Sequence, residues 1–308
     1  MQVEYDTVIV GGGIAGLQTA IQLARCLRRV AVIDMPGGRS TVAKAYRNIL
    51  GFSEGVSGDF LRQAGREQAQ KYGAILITDE VTKLATDSSG LFTIGTKSGI
   101  HTLTSRTLVL ASGIRDPFPT IPGFSDCVGI SIFLCPDCDG YETVEKDTAI
   151  IGAGPHAVSM ADELIYYTNK LTVINHAKVQ VDTQAVSGLS QRGIMYREEK
   201  VCALHHTSGQ LQEIELSSGE RLSAERAFLA FPGAHALTEL LRGFSVQIHE
   251  KGHIHTNPRT KETDHPNLWA VGDINQHSQQ VSIAMGDGTQ AAIWIQKRLR
   301  EYEKSKNA

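Results

Sequence analysis

Two cysteines, Cys135 and Cys138, are separated by two residues and are followed directly by Asp139. A thiolate is the nucleophile in thiol–disulfide exchange, and a CxxC pair at a helix start lowers the pKa of one thiol while keeping the other within disulfide reach. One Gly-rich segment lies about 120 residues before the pair and a second lies about 14 residues after it. This order predicts two-electron transfer through a dithiol placed between two phosphate-binding turns.

Two other interpretations of the cysteine pair depend on the remaining cysteines. A zinc half-site would need a second ligand pair of similar spacing, and Cys26, Cys127 and Cys202 supply none. A pair of buried structural thiols is the other alternative. Because the five cysteines are an odd number and the thiol pool of the expected cytosolic location keeps cysteines reduced, we predict no framework of structural disulfides. We also predict no metal site. Cys127 is interpreted as a small apolar residue.

The first Gly-rich segment follows a short apolar, β-branched run that predicts a strand, and helical apolar spacing follows it. Gly11 allows a tight turn, Gly13 lets the backbone approach a pyrophosphate, and Gly16 allows close packing of helix on strand. Asp34 ends the next predicted strand about 20 residues later, where a carboxylate would bind a ribose hydroxyl. The unit therefore predicts a dinucleotide site.

The same pattern of strand, turn, helix and strand returns about 140 residues later, around Gly152 and Gly154. Two such units predict two dinucleotide-binding lobes. A buried parallel strand is predicted to end at Ala111–Gly113, where it could meet a ligand, and a further strand ends at Gly272–Asp273. A helix is predicted from about Gln280 to Arg300, followed by a frayed, charged end.

Composition excludes several classes of protein. The chain has 308 residues, of which 41% are hydrophobic and 20% are charged, so it can form a large buried core. A formal net charge of −3 gives no basic surface for nucleic acid or for an anionic membrane. The first residues lack the pattern of a secretory leader, and no apolar run is long enough to span a bilayer. We therefore expect a cytoplasmic protein with small-molecule or protein partners.

Taken in order, the motifs from Gly11 to Gly16, Ala111 to Gly113, Cys135 to Asp139, Gly152 to Ala157 and Gly272–Asp273 resemble the low-molecular-weight thioredoxin reductase family of flavoproteins. The resemblance covers essentially the whole chain. It implies an α/β fold with two Rossmann-like lobes of the three-layer ββα type, the second inserted into the first. It further implies a discontinuous FAD domain over 1–116 and 245–308, a nicotinamide-nucleotide-type domain with the CxxC pair over 117–244, and a homodimer.

The resemblance also implies the binding residues. The first glycines would contact the FAD pyrophosphate, Asp34 would bind the adenosine ribose, and Gln280 would lie next to the isoalloxazine. Gln279 and Val281 replace the arginine and alanine that flank this glutamine in the family. The cofactor-binding residues implied in this way are Gly11, Gly13, Ala15, Gly16, Asp34, Gly38, Arg39, Asn48, Ala111, Gly113, Gly272, Asp273 and Gln280, with Gly152 and Gly154 in the second lobe.

In the resembling enzymes the second cysteine faces the flavin and the first attacks the partner disulfide, which implies these roles for Cys138 and Cys135. Asp139 occupies the position of the family's acid, where a carboxylic group protonates the departing thiolate.

The electron donor is where the sequence departs most from the family. NADPH-dependent members carry a His-Arg-Arg-x-x-x-Arg set after the second lobe's strand, but residues 175–181 read Asn-His-Ala-Lys-Val-Gln-Val. Losing two charge-assisted hydrogen bonds would weaken NADPH binding by roughly 10² to 10⁴. Pro155 and His156 would also crowd a pyrophosphate or remove a donor. NADH, a reduced ferredoxin and a second flavin remain open as donors beside NADPH.

The sequence therefore predicts an FAD-dependent disulfide oxidoreductase. Electrons would pass between the flavin and the Cys135/Cys138 dithiol, and on to a thioredoxin-like protein or a small-molecule disulfide. Two alternatives stay open: a dithiol oxidase that gives electrons to oxygen, and a non-catalytic flavin redox sensor.

Overall fold

The computed structural model describes residues 5–307. Two predictions lie outside the described residues. One is the absence of a secretory leader, which concerns the first residues, and the other is the outermost bounds of the predicted FAD domain, residues 1 and 308.

Seven helices and seventeen strands make up this part of the chain. The helices are α1 (Ile14–Arg25), α2 (Gly58–Lys71), α3 (Phe124–Cys127), α4 (Pro136–Asp139), α5 (Pro155–Leu164), α6 (Thr183–Gln191) and α7 (Val281–Asn307). The strands are β1 (Tyr5–Val10), β2 (Val30–Asp34), β3 (Ile75–Thr78), β4 (Val81–Thr86), β5 (Phe92–Thr96), β6 (Thr102–Leu110), β7 (Ile114–Arg115), β8 (Ile132–Phe133), β9 (Thr148–Gly152), β10 (Leu171–Asn175), β11 (Met195–Arg197), β12 (Val201–Thr207), β13 (Gln210–Leu216), β14 (Arg221–Ser223), β15 (Arg226–Ala230), β16 (His235–Ala236) and β17 (Leu268–Ala270).

The chain divides into two compact units. The first unit comprises the described residues of Met1–Thr41, Gly58–Arg115 and His235–Ala308, and the second comprises Val42–Ser57 and Asp116–Ala234. The predicted α/β class, with two Rossmann-type units of which the second is inserted in the sequence of the first, is confirmed.

Asp116 and two longer segments fall on the other side of the predicted boundaries. Residues 235–244 belong to the first unit, because β16 pairs with β7 and the Leu237 N–H donates to the Gly113 carbonyl at 3.0 Å. Residues 42–57 belong to the second unit, where the Lys44 N–H donates to the Gly129 carbonyl at 3.4 Å. The assignment of FAD to one unit and a nicotinamide nucleotide to the other stays a prediction.

The first unit is built on a sheet with a parallel core in the order β3-β2-β1-β6. Val8 of β1 lies between Ala31 of β2 and Leu108 of β6, and all three side chains are fully buried. Strand β6 is long enough to pair with β5 through its first half and with β17 through its second half. Helices α1 and α7 cover one face, so their apolar sides bury the sheet from water.

Helix α7 is longer than predicted. The sequence predicts a frayed end after Arg300, but the helix continues to Asn307. Arg28 forms a salt bridge with Glu303, and the guanidinium of Arg106 lies 4.1 Å from the centre of the Tyr302 ring. These contacts join Tyr302 and Glu303 to the first unit, and the helix continues past the predicted end at Arg300.

The second unit repeats the plan with a parallel sheet in the order β11-β10-β9-β15-β8. Ile150 of β9 lies between Val173 of β10 and Phe228 of β15, and the three side chains are fully buried. A separate antiparallel sheet of β12, β13 and β14 closes one side of the core of this unit. Both glycine turns therefore begin at the carboxyl end of a buried parallel strand, as predicted.

Gly11 should not tolerate a side chain. Its φ is +105°, and a Cβ there would lie closer than 3.0 Å to the backbone carbonyl of Ala111. We expect Gly11→Ala to lower the free energy of unfolding by roughly 2–5 kcal/mol, from backbone strain plus overpacking. Gly73→Ala is the matched control, because Gly73 has a φ of +93° and open space around it. It should cost only roughly 1–2 kcal/mol. Chemical denaturation followed by circular dichroism measures both, and equal losses would contradict the steric argument.

Candidate functional site

The two cysteines predicted to react with each other are joined. Cys135 is the N-cap of α4, Pro136 occupies the first helical position, and the N–H groups of Cys138 and Asp139 donate to the Cys135 carbonyl at 3.1 and 3.0 Å. Cys135 and Cys138 form a disulfide with their Cα atoms 5.3 Å apart. Proline is suited to the first helical position, since the N–H that it lacks would have no partner there. The short turn therefore fixes both sulfur atoms beside a helix start.

The remaining three cysteines form no disulfide. Cys26, Cys127 and Cys202 are free thiols. Cys127 is fully buried, and burial raises the pKa of its thiol, which agrees with its interpretation as a small apolar residue. Among residues 5–307 no group of three or more histidine, cysteine or acidic side chains could hold a metal ion.

Asp139 follows the disulfide and has an altered acidity. Burial, followed by the nearby charge of Glu142, raises its pKa from 3.8 to about 6, while Arg47 opposes the shift. Arg47 also lies 3.5 Å from the Glu142 carboxylate. A carboxyl group with this pKa can hold and release a proton near neutral pH. Sequence reasoning missed Arg47, because it lies in the segment 42–57 that was predicted to belong to the other domain.

The first glycine turn is open. Gly13 is the N-cap of α1 without a side-chain cap, and a Cβ placed on Gly13 would meet no atom within 4 Å. Within residues 5–307 the N–H groups of Ile14, Ala15 and Gly16 have no hydrogen-bond partner. An uncapped helix start with free N–H groups binds anions. The turn therefore fits the pyrophosphate of FAD.

The other predicted FAD-binding residues of the first unit gather around this turn. Ala111 donates its N–H to the Val10 carbonyl at 2.8 Å, so the end of β6 lies beside the end of β1. A Cβ on Gly272 would come within 2.8 Å of the Ala15 side chain, and one on Gly16 would contact the Gly11 carbonyl. The strand ends therefore meet where the sequence predicts a ligand.

Asp34 has partners that the sequence did not reveal. Its carboxylate accepts the Gly12 N–H at 2.8 Å, and it forms salt bridges with Arg62 at 2.8 Å and Arg66 at 3.4 Å. Arg62 also donates to the Gly37 carbonyl. The spacing of Arg62 and Arg66, four residues apart on α2, was the available signal, since it places both on one helix face. The predicted contact of Asp34 with a ribose stays a prediction.

A second polar cluster joins residues predicted to border the flavin. Arg39 donates to the Gln279 side-chain oxygen at 2.6 Å and lies 3.3 Å from the Asp273 carboxylate. Gln279 occupies the position of an arginine in the resembling family. In this chain the guanidinium of the cluster comes instead from Arg39, in the 3₁₀ turn that follows Gly38. Gln280 is half-buried at the start of α7, where its carbonyl accepts the Ala284 N–H at 2.9 Å.

Asn48 and Gly113 complete the predicted set of the first domain. Asn48 is exposed and lies in the second compact unit, unlike the other predicted FAD contacts, so the structure does not bring it into their unit. Gly113 follows β6, and its carbonyl accepts the Leu237 N–H.

Asp287, a buried residue of α7, holds the Gly272–Asp273 turn by a hydrogen bond. This buried carboxylate accepts the Gly272 N–H at 3.0 Å and the His277 ring nitrogen at 2.7 Å, and it lies 3.0 Å from the Lys261 ammonium. Burial pushes the pKa of Asp287 up, but the hydrogen bonds from His277 and Lys261 outweigh it, so the pKa is lowered. The bond to Asp287 raises the pKa of His277. Asp287 lies 14 residues after Asp273 in the sequence, and nothing in its spacing indicated the contact.

The glycine turn of the second unit differs from the first. The Gly154 N–H donates to the Asn175 side-chain oxygen at 2.9 Å, and a Cβ on Gly154 would lie 2.9 Å from both the Cβ and the carbonyl oxygen of Val179. Gly152 packs directly on Ala230 of β15. The predicted residues are thus at the predicted turn, but the space in front of Gly154 is filled.

Among residues 5–307 no helix combines the length and the apolar character needed to cross a membrane.

Comparison with known proteins places this architecture among characterised ones. The family model described as "Pyridine nucleotide-disulphide oxidoreductase" matches residues 5–288. The chain is 26% identical to a thioredoxin reductase from Mycolicibacterium smegmatis, covering 98% of this chain and 99% of that protein. It is 27% identical to a thioredoxin reductase from Treponema pallidum (strain Nichols), covering 95% and 96%. The crystal structure of HlmI superposes with a TM-score of 0.88 at 27% identity, covering 98% of this chain and 95% of that chain.

The raised pKa of Asp139 should make stability depend on pH. Because the folded protein keeps this proton up to a pH of about 6 while an unperturbed carboxyl loses it near 3.8, the contribution of Asp139 to stability falls as pH rises between these values. The total fall is up to roughly 3 kcal/mol. We expect the melting temperature of Asp139→Asn, relative to wild type, to increase from pH 4 to pH 7. Asp137→Asn, an exposed position in the same turn, should retain the wild-type pH dependence. A difference between Asp139→Asn and wild type that is independent of pH would contradict the burial argument.

Asp287→Asn should destabilise the first unit and weaken its cofactor binding. Removing one partner of a buried ion pair costs roughly 3–5 kcal/mol, because His277 and Lys261 keep uncompensated charge. The loosened Gly272–Asp273 turn should lower FAD affinity at least about tenfold. Denaturation curves and the flavin absorbance retained after gel filtration measure the two effects. Asp264→Asn, at an exposed position, is the control and should change neither. Normal FAD retention by a folded Asp287→Asn protein would reject the supporting role.

Proposed function

We propose a function on one established premise: this chain belongs to the pyridine nucleotide-disulphide oxidoreductase family. It is a thioredoxin reductase-like flavoprotein, and the predicted enzyme class and the predicted cofactor FAD are confirmed. The steps proposed below concern its residues, its electron acceptor and the direction of transfer.

The proposed reaction is reduction of a partner disulfide by the Cys135/Cys138 dithiol. When bound, FAD supplies a store of two electrons. Those electrons, with two protons, open the Cys135–Cys138 disulfide to a dithiol. The Cys135 thiolate then attacks one sulfur of the partner disulfide and forms a mixed disulfide. Attack of Cys138 on the Cys135 sulfur releases the partner as a dithiol and restores the intramolecular disulfide.

The observation that carries this proposal is the joined cysteine pair at the start of α4 with a half-buried acid of raised pKa directly after it. Asp139 has a raised pKa, so it carries a proton in a useful fraction of molecules near neutral pH and can give it to a departing thiolate. We assign Cys135 to attack on the partner and Cys138 to exchange with the flavin, as in the resembling enzymes.

The proposed acceptor is a thioredoxin-like protein, because the relatives from M. smegmatis and T. pallidum are named thioredoxin reductases. A small-molecule disulfide is the second choice. From the resemblance we also propose a homodimer in the cytoplasm, and a ferredoxin as one candidate electron donor.

A dithiol oxidase is the second candidate function. It is favoured by the filled space at Gly154, which argues against a nicotinamide nucleotide as the electron source. In this direction a substrate dithiol would be oxidised to a disulfide, its two electrons and two protons would pass through Cys135 and Cys138 to the flavin, and oxygen would be reduced to hydrogen peroxide.

Serine substitutions should separate the two cysteines. In the anaerobic, dithionite-reduced holoenzyme, we expect both Cys138→Ser and Cys135→Ser to lose at least about 10³-fold in the rate at which thioredoxin disulfide reoxidises the flavin, since no intramolecular disulfide can form. Flavin reduction by dithionite should be unchanged in both. Cys202→Ser, at an exposed free cysteine, is the control and should react at the wild-type rate. Wild-type rates in either active-site variant would reject the assignment.

The direction of transfer is tested with the same protein in air. Continuous hydrogen peroxide formation from a simple dithiol would favour the oxidase, and turnover of thioredoxin disulfide with a low-potential donor would favour the reductase. Absence of both would leave the flavin redox sensor as the function.

A further inference from the structure

The chain contains two glycine turns of the same sequence type, and each can be compared with the other inside its own unit. In both turns a parallel strand ends at or just before the first glycine, and a helix follows the second glycine. The neighbouring strand ends in a side chain that accepts an N–H from the turn. Those side chains are Asp34 in the first unit and Asn175 in the second, with donor–acceptor distances of 2.8 and 2.9 Å. The two turns nevertheless differ in what stands in front of them.

The space in front of the second turn is occupied by the chain itself. A Cβ on Gly154 would lie 2.9 Å from the Val179 carbonyl oxygen and 3.0 Å from a Val179 methyl carbon, whereas the same construction on Gly13 meets nothing within 4 Å. Because a backbone atom is among the closest, a change of Val179 rotamer does not clear the space. This is the place where a dinucleotide pyrophosphate approaches the second glycine of such a turn.

The N–H groups of the second turn are also used internally. Pro155 has no N–H, the Gly154 N–H donates to Asn175, and the His156 N–H donates to the Ala153 carbonyl at 3.1 Å. The Ala157 N–H donates to the Gly154 carbonyl at 3.1 Å. Neither helix start has a side-chain cap. Within residues 5–307, however, the N–H groups of Ile14, Ala15 and Gly16 have no partner, whereas those of His156 and Ala157 are bonded internally. The second turn therefore offers fewer free donors to an anion than the first.

Asn175 holds this arrangement in place. The side chain is fully buried, its oxygen accepts the N–H groups of Gly154 and Val179 at 2.9 and 3.2 Å, and its nitrogen donates to the Val179 carbonyl at 2.7 Å and the Tyr196 hydroxyl at 3.0 Å. An asparagine amide has two acceptor and two donor positions, and all four are satisfied. Moving Val179 away therefore breaks two of these four bonds, those made to the Val179 N–H and carbonyl, and leaves part of the buried amide unpaired.

The residue after Asn175 does not replace the missing arginines. Burial, followed by the charge of Lys200, lowers the pKa of His176. Its Nδ1 accepts the Val201 N–H at 3.0 Å, and its ring packs against Phe231 at 5.8 Å between centroids. A neutral, occupied imidazole offers no charge to a nucleotide phosphate.

We propose that Val179 and Asn175 close the Gly152–Gly154 turn against a dinucleotide pyrophosphate, so that this unit takes no reducing equivalents from bound NADH or NADPH. The proposal rests on the proposed function, since it names the class of donor that the enzyme excludes. Electrons must then reach the protein from a donor that does not need this turn: a one-electron carrier protein, or the substrate dithiol itself.

The test is binding of NADH and NADPH to the full-length, FAD-loaded protein by titration calorimetry. We expect wild type to bind both with dissociation constants above roughly 1 mM. Val179→Gly, which removes the Cβ and methyl contacts and makes the backbone at this position more flexible, should tighten NADH binding at least about tenfold. Asn175→Ala should do the same by removing the hydrogen bonds that hold the Val179 carbonyl and N–H. Val144→Gly is the matched control, because Val144 is a valine of the same unit with similar exposure, 41% against 45% for Val179. It should bind as wild type does.

Circular dichroism and flavin retention must show that each variant is folded. Wild-type binding of either nucleotide below roughly 100 μM would overturn the proposal. Unchanged, weak binding in both folded variants would also overturn it, since closure by these two residues would then not be the cause. Neither result affects thiol–disulfide exchange in the chemically reduced enzyme, so failure here is distinguishable from failure of the proposed function.

Discussion

The first unit depends on a contact between backbones that only glycine permits. At Gly11 and Gly16 the helix α1 comes so close to the ends of β1 and β6 that a single added carbon would overlap a carbonyl group. This approach directs the start of α1 toward the carboxyl edge of the sheet, where the parallel strands end together. The position of Asp34, Ala111 and Gly272 near one another is a consequence of that packing.

Buried carboxylates then organise the loops at this edge. Asp34 ties the glycine turn to α2 through Arg62 and Arg66, and Asp287 ties the turn after β17 to α7. In both cases an acidic side chain accepts a backbone N–H and is neutralised by cations, which is the arrangement in which a buried charge is tolerated. The loops that are predicted to bind FAD are therefore held by charge as well as by packing. The second turn uses an uncharged amide for the same purpose, and its binding surface is covered.

Local patterns in the sequence were sufficient to predict much of the fold. Continuous apolar strands, glycine spacing and the CxxC pair each depend on near neighbours, so the α/β class, both glycine turns and the cysteine pair were accessible. Contacts between distant segments were not. Arg47 beside Asp139, Asp287 beneath Gly272, and Val179 in front of Gly154 follow from tertiary packing that no periodicity records. Site residues were thus predictable where they all belong to one local turn. Residues that contact the turn from a distant segment of the chain were not predictable.

The segment Val42–Ser57 belongs to the second unit, although first-unit residues flank it on both sides in the sequence. The chain therefore passes from one unit to the other four times, and the unit that carries the disulfide is not a contiguous module. A fragment excised at residues 116 and 234 would lack Lys44, whose N–H donates to the Gly129 carbonyl, and Arg47, which opposes the rise in the pKa of Asp139. Grafting or evolutionary exchange of this module would have to carry both pieces of polypeptide together.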